Sequence, residues 1–171
     1  PDLKQIEFWY KQVLAVAGPC SIQLSGGEPT LRDDLPAIVA MGRRLGFSFI
    51  QVNTNGVRLA SESNYAQILK DTGLASVFLQ FDSVDDTGYR TLRGRPLLEE
   101  KLLAIEHCGK AGLAVILVPT LVPGINTQAI GAIMKLALKF EPVVRGIHFQ
   151  PISYFGRYSG EVLDQNRITL P

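Results

Sequence analysis

Short, strand-like apolar segments recur in this chain roughly every 30 residues, with a helical pattern between successive segments. The strand-like segments cover residues 21–25, 49–54, 76–82, 114–119 and 146–151. Helical spacing of apolar residues occupies 2–17, 35–45, 62–72, 97–111 and 130–140. This alternation predicts an α/β fold: a parallel sheet joined by helical crossovers, with helices covering at least one of its faces.

The first strand ends in two glycines, an acid and a proline: Gly26, Gly27, Glu28 and Pro29. Paired glycines let a ligand approach the backbone closely, and the glutamate adds a fixed negative charge beside them. This combination suits a ligand amine better than a phosphate, which favours basic residues and helix N-terminal amides. A plain strand-to-helix turn is the alternative interpretation of the segment.

Polar side chains also follow the later strands. Asn53, Thr54 and Asn55 end the second strand, and Gln80 and Asp82 end the third. The carboxyl ends of parallel strands meet at one edge, so these residues are expected to surround a single binding mouth. Asp82 could position a ligand hydroxyl or cap the following turn, and both interpretations stay open.

Charge and cysteine content exclude several classes of function. The net charge of +1 provides no footprint for nucleic acid and no basic membrane patch. No apolar run is long enough to span a bilayer and no leader opens the chain, which predicts a cytoplasmic location. Cys20 and Cys108 are too far apart for a disulfide scaffold and have no metal-ligand spacing.

The strand-end motifs, taken in order, resemble the radical S-adenosylmethionine superfamily, in particular relatives of the molybdenum-cofactor cyclisation enzyme. The similarity spans about residues 21–151 and depends on segments 24–30, 52–56, 79–83, 92–95 and 118–126. It implies a partial (β/α)6 barrel holding S-adenosylmethionine and a [4Fe–4S] cluster. In such iron–sulfur oxidoreductases, reductive cleavage of S-adenosylmethionine produces a deoxyadenosyl radical that removes hydrogen from the substrate.

The resemblance also implies roles for individual residues. The methionyl amino group would be bound by Gly26, Gly27 and Glu28, and Pro29 completes this motif. The family contacts ribose and the methionyl carboxylate at strand ends that correspond here to Asn53, Thr54 and Gln80. Further cofactor-binding candidates beside them are Asn55 and Asp82. The adenine would be bordered by residues 119–123 and 149–151. At position 80 this chain has glutamine where serine is usual.

The family holds its cluster with three cysteines spaced C-x3-C-x2-C after a first strand, and neither that spacing nor that strand is found here. We therefore expect residues 1–151 to form strands two to six of the core, with the first strand missing. We expect residues 152–171 to form a polar tail leading to a missing C-terminal region. On this interpretation the parent is the enzyme, and this chain alone is inactive and holds no cluster.

Two other functions compete with this one. A non-radical α/β-barrel lyase could use Glu28 and Asp82 as acid–base groups, and a non-catalytic α/β domain could simply bind a small molecule. The substrate, a small molecule or a peptide, is not identified by the sequence. The unpaired side of the strand at 21–25 predicts self-association or coverage by a partner strand.

Several further residues are candidates for ligand contacts. Arg90, Arg93 and Arg95 are expected in a loop, either clamping a carboxylate or phosphate or remaining solvated. His148 is expected within the last strand, where its side chain could face the barrel interior. Candidate substrate contacts after that strand are Tyr154, Phe155, Arg157 and Tyr158.

Overall fold

The computed structural model describes residues 1–153 and residue 168. Its helices are α1 (Leu3–Ala17), α2 (Leu35–Leu45), α3 (Val57–Ser61), α4 (Tyr65–Asp71), α5 (Asp86–Arg93), α6 (Leu98–Lys110) and α7 (Ile130–Lys139). Its strands are β1 (Ser21–Leu24), β2 (Phe49–Thr54), β3 (Ser76–Gln80), β4 (Ala114–Val118), β5 (Thr120–Leu121), β6 (Val144–Ile147) and β7 (Gln150–Pro151).

The main sheet has five parallel strands in the order β1-β2-β3-β4-β6. Strands that follow one another in the chain therefore lie side by side, which is the order of a barrel wall and confirms the predicted α/β class. The described residues do not close the barrel. A separate two-stranded parallel ladder joins β5 to β7.

The completely buried side chains of each central strand point to the same face of the sheet. Ile50 and Val52 of β2 are fully buried, as are Val77 and Leu79 of β3. The alternate residues, such as Asn53 and Gln80, are only half-buried and lie on the opposite face. Helices therefore cover one face, and the other face is left for a ligand or for further protein.

The last predicted strand and the predicted arginine loop differ from the structure. Residues 146–151 are not one strand, because the chain leaves the main sheet after Ile147 and β7 pairs with β5 instead. His148 lies between the two strands, with its ring 6.0 Å from that of Phe78 on the uncovered face. The loop predicted around the arginines contains α5, which Asp85 caps by accepting a hydrogen bond from the Gly88 amide (2.9 Å).

Smaller boundary differences have local causes. The helix predicted at 62–72 begins only at Tyr65, and the short α3 precedes it. β3 ends at Gln80, so Asp82 lies two residues beyond the strand. Asp34 occupies the N-cap position of α2 but makes no capping bond, because Arg32 takes both of its carboxylate oxygens at 2.8 Å.

β1 is an edge strand in the described part of the chain, where it pairs with β2 alone. Self-association through that edge, and the domain division at residue 151, stay predictions. No helix among residues 1–153 is long and apolar enough to cross a membrane. The predicted tail, apart from residues 152, 153 and 168, lies outside the described residues, as do Tyr154, Phe155, Arg157 and Tyr158.

Candidate functional site

A polar pocket of about 280 Å³ opens at the carboxyl ends of β1, β2 and β3. It is lined by Ser25, Gly27, Glu28, Asn53, Thr54, Asn55 and Gln80. Six of the nine predicted cofactor-binding residues are in this set, and Ser25 is a member that the sequence analysis did not select. Gly26, Pro29 and Asp82 do not line the pocket. The structure therefore brings three separate strand ends together as predicted.

Glycine is required at the turn after β1 by backbone conformation rather than by crowding. Gly26 and Gly27 have φ values of +108° and +52°, which side-chain-bearing residues rarely adopt. A Cβ atom at either position would meet no heavy atom within 4 Å. The turn brings Glu28 to the pocket while the space around the two glycines stays open.

Glu28 connects the first strand end to the second. Its Oε1 accepts hydrogen bonds from the Thr30 amide (3.1 Å), the Thr30 hydroxyl (2.7 Å) and the Thr54 hydroxyl (2.6 Å). Its Oε2 accepts one, from the Asn55 amide (2.7 Å). The chain itself therefore provides four donors to the Glu28 carboxylate.

A buried lysine supports the Asn55 wall of the pocket from below. Lys101 of α6 is 0 % exposed, and its Nζ donates to the carbonyl oxygen of Asn55. The sequence analysis missed this residue. The signal was present, because Lys101 falls on the same helical stripe as the apolar residues Leu98, Ile105 and Cys108, where a solvated lysine is not expected.

Burial lowers the pKa of the Lys101 ammonium from 10.5 to about 8, since desolvation disfavours the charged form. Between these values the unfolded chain binds more protons than the folded chain, so this group makes stability rise with pH. We expect its contribution to the free energy of unfolding to rise by about 2 kcal/mol between about pH 7.5 and 9.5.

Urea unfolding of the wild type and of Lys101→Met, each at about pH 7.5 and 9.5, gives the change in the free energy of unfolding with pH for both proteins. The difference between the two changes is the contribution of Lys101. Cys108, whose pKa burial raises to about 12, acts in the opposite direction but is common to both proteins. Lys110→Met, at an exposed pair with Glu106, is the control and should keep the wild-type slope. An equal slope in Lys101→Met and the wild type would contradict the prediction.

Asp82 lies away from the pocket and holds an arginine. It is 0 % exposed, its Oδ2 accepts from Arg93 Nε at 2.8 Å, and its Oδ1 accepts from the Thr120 amide at 3.0 Å. Arg93 in turn faces the pocket-lining Gln80. Because a guanidinium can only donate, the Gln80 amide is assigned with its oxygen towards Arg93, where it accepts from Nη1 (3.2 Å) and Nη2 (2.6 Å). Asp82 thus reaches the pocket only through Arg93 and Gln80.

The remaining candidates do not line the strand-end pocket. Pro29 starts a buried 3-10 turn, and Arg95 forms a surface pair with Glu100 at 2.7 Å. The β5–β7 ladder places the predicted adenine-bordering segments 119–123 and 149–151 side by side.

A larger apolar cavity of about 660 Å³ lies between α7 and β6. Its lining includes Phe149 from the predicted adenine-bordering segments, but none of the residues predicted to bind the methionyl group or the ribose. Its lining offers few polar groups to orient a ligand, whereas the strand-end pocket offers several. Residues 1–153 and 168 contain no group of three His, Cys, Asp or Glu side chains placed to hold a metal ion. We therefore locate the functional site at the strand ends.

Comparison with known proteins gives both a family and a set of relatives. A family model described as the Radical SAM superfamily matches residues 5–137. The 7,8-dihydro-6-hydroxymethylpterin dimethyltransferase of Methanocaldococcus jannaschii is 45% identical over 152 residues, which is 88% of this chain and 30% of that protein. A probable GTP 3′,8-cyclase of Methanococcus maripaludis is 33% identical over 135 residues, 79% of this chain and 44% of that protein.

Solved structures share the fold. Streptococcus suis SuiB superposes with a TM-score of 0.72 at 16% identity, covering 97% of this chain and 35% of that one. The enzyme anSMEcpe with bound AdoMet superposes with a TM-score of 0.70 at 17% identity, covering 92% and 46%. This chain thus spans less than half the length of each of these relatives.

Proposed function

The chain belongs to the radical SAM superfamily, and from this membership we propose that it is the cofactor-binding core of a longer enzyme. In this proposal the strand-end pocket holds S-adenosylmethionine, which when bound supplies the adenosyl group for radical chemistry. The observation that carries the proposal is the convergence of Gly27, Glu28, Asn53, Thr54 and Gln80 on one pocket.

The pocket residues fit this cofactor. Glu28 Oε1 already accepts three hydrogen bonds, but Oε2 accepts only one and the residue lines the pocket, so Oε2 is the acceptor offered to the methionyl ammonium. The open turn at Gly26 and Gly27 lets the amino group approach the backbone. Asn53 and Gln80 take the ribose and carboxylate, and segments 119–123 and 149–151 border the adenine.

The residues described here do not fit a [4Fe–4S] cluster. Cys108 is buried, Cys20 lies 88 positions before it in the chain, and no three potential metal ligands converge within residues 1–153 and 168. In the proposal the cluster is held by residues outside this chain, and residues 1–151 contribute the S-adenosylmethionine site. The cytoplasmic location predicted from the sequence stays a prediction.

Changing Glu28 to Gln tests the site. An amide has only one oxygen, so its NH2 group would place a donor against another donor, either the Asn55 amide or the donors around Oε1. The methionyl ammonium would also lose an anionic partner. We expect S-adenosylmethionine binding to weaken by about 1–3 kcal/mol and the domain to lose a similar amount of stability. Anaerobic calorimetry and urea unfolding of the longer protein measure the two effects.

The matched control is Glu99→Gln, an exposed glutamate on α6, which should leave binding and stability unchanged. Parental affinity and cleavage rate in Glu28→Gln would show that S-adenosylmethionine binds elsewhere.

For the substrate of the longer enzyme we propose a reduced pterin that receives methyl groups. The support is the 45% identity, over 88% of this chain, to a protein named as a dihydropterin dimethyltransferase. The competing substrate is GTP, from the relatives named GTP 3′,8-cyclase at 33% identity. Incubating the longer protein with S-adenosylmethionine, a one-electron reductant and either compound, followed by mass spectrometry, separates methylation from cyclisation.

A further inference from the structure

From the contacts beside the pocket we infer that Asp82 and Arg93 are positioning residues that fix the amide of Gln80, so that its NH2 group selects a carboxylate on the ligand. The inference rests on the proposed function, since the carboxylate in question is that of the methionyl group. It also gives a role to Asp82, which does not line the pocket, and to the glutamine that replaces the usual serine.

The guanidinium of Arg93 is held rigidly from the protein side. Asp82 is fully buried, and its carboxylate binds Nε of Arg93 at 2.8 Å. The other carboxylate oxygen accepts from the Thr120 amide (3.0 Å), and the Asp82 carbonyl accepts from Asn126 Nδ2 (2.9 Å). Because Asp82 is fixed on both sides, Nη1 and Nη2 of Arg93 are aimed at Gln80.

Arg93 can only donate, so it determines which way the Gln80 amide lies. With the amide assigned in this way, the side-chain oxygen accepts from Nη1 at 3.2 Å and from Nη2 at 2.6 Å. The NH2 group is on the other side of the amide and is the part that Gln80 offers to the pocket it lines. A glutamine free to rotate could present either an acceptor or a donor, whereas this one presents a donor.

The ligand group that matches the Gln80 side of the pocket is an anionic acceptor. The NH2 donor is polarised by the guanidinium behind it, and the ammonium of Lys101 is buried beneath the neighbouring Asn55 loop. Glu28 places negative charge across the pocket, at the ends of β1 and β2. The Glu28 side of the pocket therefore favours a positive ligand group and the Gln80 side a negative one. This suits an amino-acid zwitterion with its ammonium at Glu28 and its carboxylate at Gln80.

The test compares S-adenosylmethionine with its decarboxylated analogue, which keeps the amine and the adenosyl group. Anaerobic calorimetry of the full-length protein gives the affinity for each compound and hence a selectivity ratio, which does not depend on the fraction of protein folded. Gln80→Glu keeps an oxygen for Arg93 but replaces the NH2 donor with a negative charge. We expect it to lose about 30-fold or more for S-adenosylmethionine and less than about threefold for the analogue.

Arg93→Lys tests the positioning role, because a lysine cannot hold both Asp82 and the amide oxygen in one plane. It should reduce the selectivity ratio about tenfold with Gln80 present and leave it unchanged in a Gln80→Met background. The control Arg95→Lys, at the surface pair with Glu100, should keep the wild-type ratio in both backgrounds.

Two results would overturn the inference while leaving the proposed function intact. Equal losses for both compounds in Gln80→Glu would show that the amide does not meet the carboxylate. An Arg93→Lys effect that persists in Gln80→Met would show that Arg93 contacts the ligand directly. Failure of the wild type to bind either compound would instead overturn the proposed function, and this inference with it.

Discussion

Replacing Arg93 with methionine should lower the free energy of unfolding by about 3–5 kcal/mol, the largest loss expected at a single side chain here. The reason is the fully buried Asp82, whose Oδ2 would lose the Arg93 guanidinium while Oδ1 keeps the Thr120 amide. A buried carboxylate left in this state retains its desolvation penalty without the interaction that offsets it. Urea unfolding near neutral pH measures the loss.

Two further variants separate this buried pair from an ordinary surface pair. Arg95→Met breaks the exposed contact with Glu100 and should cost less than about 1 kcal/mol. Adding Asp82→Asn to Arg93→Met removes the unpaired charge and should recover part of the stability. A cost below about 1 kcal/mol for Arg93→Met, with no recovery on adding Asp82→Asn, would contradict the argument.

Changing Gly56 to alanine should cost about 2–4 kcal/mol and disturb the pocket wall formed by Asn55. Gly56 has φ +80°, and a Cβ there would overlap the side chain of Leu79, which is fully buried, and lie 3.5 Å from Ala104. The strained backbone and the overpacking therefore add together. Because the Gly56 amide also donates to Thr54 Oγ1 (3.1 Å), S-adenosylmethionine affinity should fall with stability.

Gly94 provides the matched control for the packing contribution. It has φ +77°, almost the same backbone conformation, but a Cβ there would meet nothing within 4 Å. Gly94→Ala should therefore cost only the conformational strain, about 1–2 kcal/mol. Urea unfolding of both variants gives the packing contribution as the difference, and equal costs would show that Leu79 yields to the added methyl group.

The sequence determined the features that depend on local periodicity. The second strand is found at residues 49–54 as predicted. α1 begins one residue later than predicted and ends as predicted, and α6 is one residue shorter than predicted at each end. These succeed because apolar spacing and chain-breaking residues act within one turn or one strand. The strand-end residues could also be found from sequence. Each strand end is marked locally by its polar residues, and the carboxyl ends of parallel strands meet at one edge of the sheet.

The tertiary structure alone decided which of those residues meet the pocket and what holds them. Glu28 bonds to residues as far as 27 positions along the chain, Lys101 to a carbonyl 46 positions away, and Asp82 to an arginine 11 positions away. No periodic pattern encodes such pairings, because they depend on how α5 and α6 lie against the strand ends. Asp82, a polar residue at a strand end, could not be distinguished from a ligand contact by sequence. In the structure its carboxylate is completely buried against Arg93 and does not line the pocket, because a carboxylate removed from water is stabilised by the cation that the fold places beside it.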